Sequence, residues 1–194
     1  YINGRQGFFV EAGANNGLRQ SNTAYLEFWR GWRGLLVEPI PELATQCRRN
    51  RPNSIVEETA LVERAHEGET VDMVYCNLMS IVSGARGSAQ ADAEHVERGR
   101  QFLSPDDQPR NYRVSTGTLT ELLDRHRIEQ VDLLSLDVEG YEAMALKGLD
   151  MSRHAPTWVL VEANEPDAVD AVLGARYELV DSMSHHDRLY RLIA

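Results

Sequence analysis

Gly7-Phe-Phe-Val-Glu-Ala12 leads directly into Gly13-Ala-Asn-Asn-Gly17: a short apolar run that closes on an acid, then a turn bounded by glycines. An apolar run of this length between turn signals reads as a buried strand. The chain then repeats the theme. Residues 23–30 read as a helix, with Ala24, Leu26, Phe28 and Trp29 apolar and Asn22 and Thr23 as natural N-caps. Gly34-Leu-Leu-Val-Glu38 is a second strand. Pro41 to Asn50 reads as a helix, opened by Pro-Glu and closed by Arg48 and Arg49, as the helix dipole prefers. Residues 54–62 read as a third strand.

The same alternation returns in the second half. A helix is expected over 118–127, with Leu119, Leu122 and Leu123 on one face. A strand follows over 131–136, a helix over 141–149, a strand over 157–162, and a helix over 165–174 entered through Pro166 and left through Gly174. Strand-then-helix order predicts an α/β fold with a mostly parallel sheet and helices on both faces. Residues 177–193 give two last strands around Ser182 to Asp187, joined too tightly for a crossover helix and so antiparallel. Between the halves the pattern breaks. Residues 70–76 alternate weakly, as an extra strand would. From Gly84 to Arg113 the chain holds three Gly, two Pro, five Arg and five acids with little apolar periodicity. This reads as a mobile insert in a single domain spanning 1–194.

Composition bounds the function. The chain has 194 residues, 42% apolar and 26% charged, which is ordinary for one globular domain. Twenty basic residues against 30 acidic ones leave a net charge of −10, which disfavours phosphate backbones and so nucleic acid. No apolar run approaches the ~20 residues of a membrane span. Cys47 and Cys76 have no metal-binding spacing and read as buried free thiols, which fits a reducing, cytoplasmic setting.

The chemistry lies where the strands stop. In open α/β sheets ligands bind beyond the carboxyl ends of the strands, and here those ends carry Glu11, Glu38, Glu58, Asp137 and Glu162. A dinucleotide fingerprint would place glycine where Asn15 and Leu18 stand, so the nicotinamide reading fails at two of three positions. Glu38, 21 residues after Gly17, is where an acid accepts hydrogen bonds from both hydroxyls of a ribose. A ligand with a ribose and a positive charge, and without phosphate, fits both Glu11 and Glu38. S-adenosylmethionine is such a ligand.

Four ordered blocks, Glu11-Ala-Gly-Ala-Asn-Asn-Gly17, Ser21-Asn-Thr23, Gly31-Trp-Arg-Gly-Leu-Leu-Val-Glu-Pro39 and Leu136-Asp-Val-Glu-Gly-Tyr-Glu142, resemble the FkbM family of S-adenosylmethionine-dependent methyltransferases. Ser135 and Glu58-Thr59 depart from that pattern, where many members carry Lys and Asn-Ala. The resemblance implies a class I methyltransferase, a Rossmann-like doubly wound sheet of seven strands in the order 3-2-1-4-5-7-6 with a C-terminal antiparallel hairpin. It also implies O-methylation of a sugar or natural product. Carried over by position, it implies that Glu11, Gly13 and Asn15 line the methionine end of the cofactor. Ser21 and Asn22 would help hold its carboxylate, since helix N-termini bind anions. Glu38 would bind the ribose, with Pro39 and Ile40 shaping the wall, and Glu58, Thr59 and Ala60 would flank the adenine. Asp137 would lie beside the methyl group.

The partner is then a small-molecule hydroxyl, whose proton needs a base. Candidates near the end of the fourth strand and on the hairpin are Asp137, Glu139, His185 and His186. Asp137, Glu162 and Asn164 also offer hard oxygen ligands suited to Mg²⁺. The metal-free route is preferred, because Pro166 turns the chain away just where Glu162 and Asn164 would need a shared face. Trp29 and Trp32 read as helix–sheet packing. Two rival functions remain open: a binding module that has lost catalysis, and a nicotinamide-dependent oxidoreductase.

Overall fold

The computed structural model describes residues 1–2, 4, 6–65, 69–105 and 107–193; Asp106, inside the expected insert, lies outside them. The first half runs β1 (Phe8–Ala12), α1 (Ala24–Arg30), β2 (Arg33–Val37), α2 (Pro41–Asn50), β3 (Ile55–Glu57), β4 (Ala60–Leu61), β5 (Thr70–Tyr75) and β6 (Ile81–Val82). It continues through α3 (Ala89–Gly99), β7 (Arg110–Gly117), α4 (Leu119–Arg125), β8 (Leu133–Leu136), α5 (Glu142–Lys147) and α6 (Met151–His154). The chain closes with β9 (Trp158–Glu162), α7 (Pro166–Leu173), β10 (Tyr177–Ser182) and β11 (Asp187–Leu192).

Seven strands form one sheet in the order β10-β11-β9-β8-β1-β2-β3. The sheet is mixed. Pairings from β9 across to β3 are parallel, whereas β11 runs antiparallel to both β9 and β10. Its two faces are separated by the period of two along each strand. Val10 and Ala12 of β1 join Leu35, Val37, Leu134 and Leu136 under Leu119, Leu122, Ala145, Leu146 and Val169 of the helices on one side. Phe9, Leu36 and Leu133 face the other way, toward Leu26, Trp32 and Cys47. Each fully buried Leu on either face contributes roughly 1.5–3 kcal/mol. Trp32 packs as expected, but Trp29 does not: it is 69% exposed and stacks on Tyr25. Among the described residues no helix is long and apolar enough to cross a membrane.

The register places the site. Ala12 pairs with Val37 on one side and Leu136 on the other, and Leu136 pairs with Val161. The next residues, Gly13, Glu38, Asp137 and Glu162, therefore emerge side by side at one edge.

Two stretches differ from expectation. Residues 54–62 are not one strand. The chain breaks at Glu58 and Thr59, so β3 ends the large sheet while β4 opens a second, four-stranded sheet in the order β4-β7-β5-β6. The stretch 84–113 is not structureless. It contains the eleven-residue α3, whose N-cap Ser88 accepts a hydrogen bond from the backbone N–H of Ala91. That helix buries only His95 and Gly99, so its sequence carries no apolar stripe to read.

Candidate active site

The turn after β1 is held close to its neighbours. The backbone N–H groups of Gly13 and Ala14 both donate to the Val37 carbonyl, at 3.0 and 3.2 Å. Gly13 has φ +79°, and a Cβ there would lie 1.8 Å from the Asp137 carbonyl oxygen. Only glycine meets both demands.

Beyond this turn opens a cleft. Gly13, Asn15, Ser21, Glu38, Pro39, Thr59, Ala60 and Asp137 line it, as expected. Glu38 is buried at its centre. One oxygen accepts the Asn15 N–H at 2.8 Å and the other the Ile40 N–H at 2.9 Å. Each oxygen keeps a second lone pair, and no cation pairs with this carboxylate among the described residues. Burial pushes its pKa up to about 8. Leu61, Met73, Leu78 and Val82 form an apolar wall, and Arg19 and Gln20 stand on the turn side.

Four expected cofactor residues, Glu11, Asn22, Ile40 and Glu58, are not among those lining the cleft. Glu11 is buried behind the turn, accepting from Ser21 Oγ (2.8 Å), Thr23 Oγ1 (2.6 Å) and the Asn22 backbone N–H (2.8 Å). Arg51, itself fully buried, approaches Glu11 to 3.6 Å and donates to Glu27 at 2.7 Å. Glu11 thus fastens the start of α1 to β1 and is not among the residues lining the cleft; neither is Asn22. Ile40 packs with Leu43 and Tyr75 in a small separate core. Glu58 pairs with Arg48 at 3.2 Å on the surface, also off the cleft.

A second cavity adjoins the first and shares Gln20, Leu78, Asp137 and Glu139 with it. Arg86, His95, Arg98, Glu162, Asn164 and His186 complete much of its lining. Asp137 hydrogen-bonds Glu162 across the ends of β8 and β9. Burial first, and then the Glu162 charge, hold the Asp137 pKa well above the carboxylate range. Glu139 stands at the boundary of the two cavities. Its φ of +57° is left-handed, an uncommon state for a residue with a Cβ. Glu142 holds that turn by accepting the N–H groups of Val138 (3.1 Å) and Gly140 (2.9 Å). Burial and the Glu162 charge push the Glu139 pKa up to about 7, while Arg86, 3.4 Å away, opposes the rise. His95 Nε2 lies 3.2 Å from the Met79 carbonyl and 3.5 Å from Glu139. Burial, and then Arg86, lower its pKa. His185 is exposed and lines neither cavity, whereas His186 reaches the second.

The methyltransferase FkbM domain family matches residues 11–192. The chain belongs to the FkbM methyltransferase family. Among solved structures, an FkbM methyltransferase from Methylobacillus flagellatus is similar at 15% identity and a TM-score of 0.54. The match covers 96% of this chain and 43% of that one, so this chain spans less than half the length of that relative. At this identity the likeness is one of fold. A TehB-like SAM-dependent methyltransferase from Corynebacterium glutamicum matches at 11% identity and a TM-score of 0.45, over 97% of this chain and 82% of that one. No curated protein matches the chain.

In this FkbM domain, then, the residues missed from sequence are Arg19, Gln20, Arg86, His95 and Arg98. Arg19 and Gln20 lay in plain view beside the quoted turn. The other three belong to the stretch whose helix carries no apolar stripe. Among the described residues, no group of three or more His, Cys, Asp or Glu is arranged to hold a metal ion. Asp137 and Glu162 do come together with Asn164 at the second cavity, but as a hydrogen-bonded carboxyl pair.

The buried acids give the FkbM domain a pH signature. Glu38 and Glu139 have folded pKa values of about 8 and about 7, above the ~4.3 of an unfolded Glu. The folded state therefore binds more protons than the unfolded state across this window, and stability falls as pH rises. Urea unfolding of the ligand-free protein should show the unfolding free energy declining from about pH 5 to about pH 8, with a shallower slope in Glu38→Gln. A flat or rising profile would show that these acids are solvated.

Proposed function

We propose that this FkbM domain is an S-adenosylmethionine-dependent O-methyltransferase acting on a hydroxyl of a sugar or natural-product small molecule. The observation that carries the reading is Glu38: a buried acid at the end of β2, lining the cleft, with spare acceptor capacity and no cationic partner. Two ribose hydroxyls supply the donors it lacks. Bound there, S-adenosylmethionine supplies a methyl carbon activated by its positively charged sulfur.

The chain's own residues do the rest. Thr59, Ala60 and the apolar wall of Leu61, Met73 and Val82 enclose the adenine. The Gly13 turn and Asn15 approach the methionine end. Asp137 is held protonated and orients groups at the junction of the cavities. The second cavity positions the acceptor, and positioning supplies much of the rate of such a displacement. Glu139, at the boundary, takes the hydroxyl proton. The sequence of the turn disfavours the nicotinamide alternative, since Asn15 and Leu18 stand where a pyrophosphate-binding turn needs glycines.

Above about pH 8, where Glu38 is ionised, Glu38→Ala is expected to weaken S-adenosylmethionine binding by about 1.5–3 kcal/mol, the range for hydrogen bonds to a charged group. Calorimetric titration of both proteins measures it, and equal affinities would remove Glu38 from the ribose site. Incubation with methyl-labelled cofactor and a sugar and natural-product library then identifies the acceptor. Label recovered on nitrogen or carbon, and not on oxygen, would overturn the O-methylation reading.

A further inference from the structure

The amino-acid end of the proposed cofactor carries a carboxylate, and the start of α1 is not free to receive it. The Asn22 N–H is given to Glu11 at 2.8 Å. The N–H groups of Thr23 and Ala24 are given to Ser21 Oγ, at 3.3 and 3.0 Å. Ser21 has one hydroxyl proton, and it too goes to Glu11, at 2.8 Å. A hydroxyl that has spent its proton accepts and cannot donate. The helix is only seven residues long, so little dipole remains to attract an anion.

The other ionisable residues lining the cleft are Glu38, Asp137, Glu139 and Tyr141, none of them a cation. Among the groups present, a cation makes the strongest hydrogen bonds to an anionic group. Arg19 is the one cationic residue in that lining among the described residues. Its backbone is fixed at the rim. The Asn16 side chain accepts the N–H groups of Leu18 at 3.0 Å and Arg19 at 2.8 Å, and the Ser21 N–H donates to the Leu18 carbonyl at 3.3 Å. Arg19 is exposed, and its guanidinium makes no ion pair or hydrogen bond among the described residues, so it is open to an incoming anion.

We propose that Arg19 grips the carboxylate of the cofactor's amino-acid end, so that this cleft selects a nucleoside carrying an intact amino acid over one that lacks it. The planar fork of a guanidinium matches a carboxylate in a two-point bond. The assignment rests on the S-adenosylmethionine reading above and adds to it the group that holds the anionic end.

Calorimetry with two probes separates the two. S-adenosylhomocysteine carries the carboxylate; 5′-methylthioadenosine keeps the adenosine and lacks it. The wild type should prefer the first. Arg19→Ala should bind S-adenosylhomocysteine about 10–100-fold more weakly and 5′-methylthioadenosine within about twofold of wild type, and Arg19→Lys should recover part of the loss. Equal losses for both probes would make Arg19 a structural residue and overturn the proposal. So would an unchanged S-adenosylhomocysteine affinity in Arg19→Ala, with the cofactor reading intact. A wild type that binds neither probe would overturn the cofactor reading, and the Arg19 assignment with it.

Discussion

Glu139→Gln is expected to lower kcat for methyl transfer by about 10²–10⁴-fold, the usual loss on removing a positioned general base, while leaving cofactor affinity nearly unchanged. Glu139 lines both cavities, so it is placed to meet an acceptor hydroxyl next to the cofactor's methyl group. Its pKa of about 7 makes it basic enough to take a proton while leaving about half of it ionised at neutral pH. The base must be deprotonated, so kcat in the wild type should climb with pH through about 7 and then level off. Gln preserves the shape and the contact with Arg86, so a loss of rate with intact binding isolates the proton transfer. A Glu139→Gln enzyme with full kcat would contradict this, and His186, which also reaches the second cavity, would become the candidate. Chelation separates the remaining route. Turnover that disappears with EDTA and returns with Mg²⁺ would place a metal at Asp137, Glu162 and Asn164 and displace Glu139 as the activator.

Arg51→Met is expected to destabilise the fold by about 3–5 kcal/mol, the cost of leaving buried charges without their partner. Arg51 is completely buried. It donates to Glu27 (2.7 Å), the Gly17 carbonyl (2.9 Å), Ser21 Oγ (3.0 Å) and Thr23 Oγ1 (3.0 Å), and lies over the rings of Phe9 and Phe28. Met replaces much of the packing but none of the donors, so Glu11 and Glu27 would stay buried with no cation. The same change removes the bond to the Gly17 carbonyl and leaves Cys47 and Asn50 as the ties between α2 and the Gly13–Gly17 turn, so cofactor binding should weaken in parallel. Urea unfolding measures the loss, and adding Glu11→Gln and Glu27→Gln to Arg51→Met should recover part of it. A loss below about 1 kcal/mol would mean that water reaches these carboxylates.

How much of this was readable in the sequence follows from where each signal comes from. Buried parallel strands leave continuous apolar runs, so β1, β2, β8 and β9 and the acids that follow them stood out. Their alignment at one edge needed only the register of neighbouring strands. The signals that failed were those set by tertiary partners. Glu11 looked like a ligand-binding acid because its quoted block ends at a turn. The polar run Ser21-Asn-Thr23 was the sign that the acid would be consumed internally, and the buried Arg51 that completes the set lies far along the chain. Glu58 shares the strand-end position of Glu38 but meets Arg48 at the surface. The chain between β5 and β7 buries too few apolar residues to show a period, so His95, on α3, and Arg86, in the turn before it, were invisible until the fold brought them to Glu139. The histidines of the hairpin were visible for the opposite reason: a pair in a loop catches the eye, yet only His186 reaches a cavity.

The claim on which the rest depends is that the cleft beside Glu38 takes S-adenosylmethionine. Calorimetric titration of the wild-type protein with S-adenosylmethionine and, separately, with NADH tests it most directly. One equivalent of S-adenosylmethionine should bind, with no binding of NADH. Binding of NADH with no heat from S-adenosylmethionine would contradict the account and return the cleft to the nicotinamide reading.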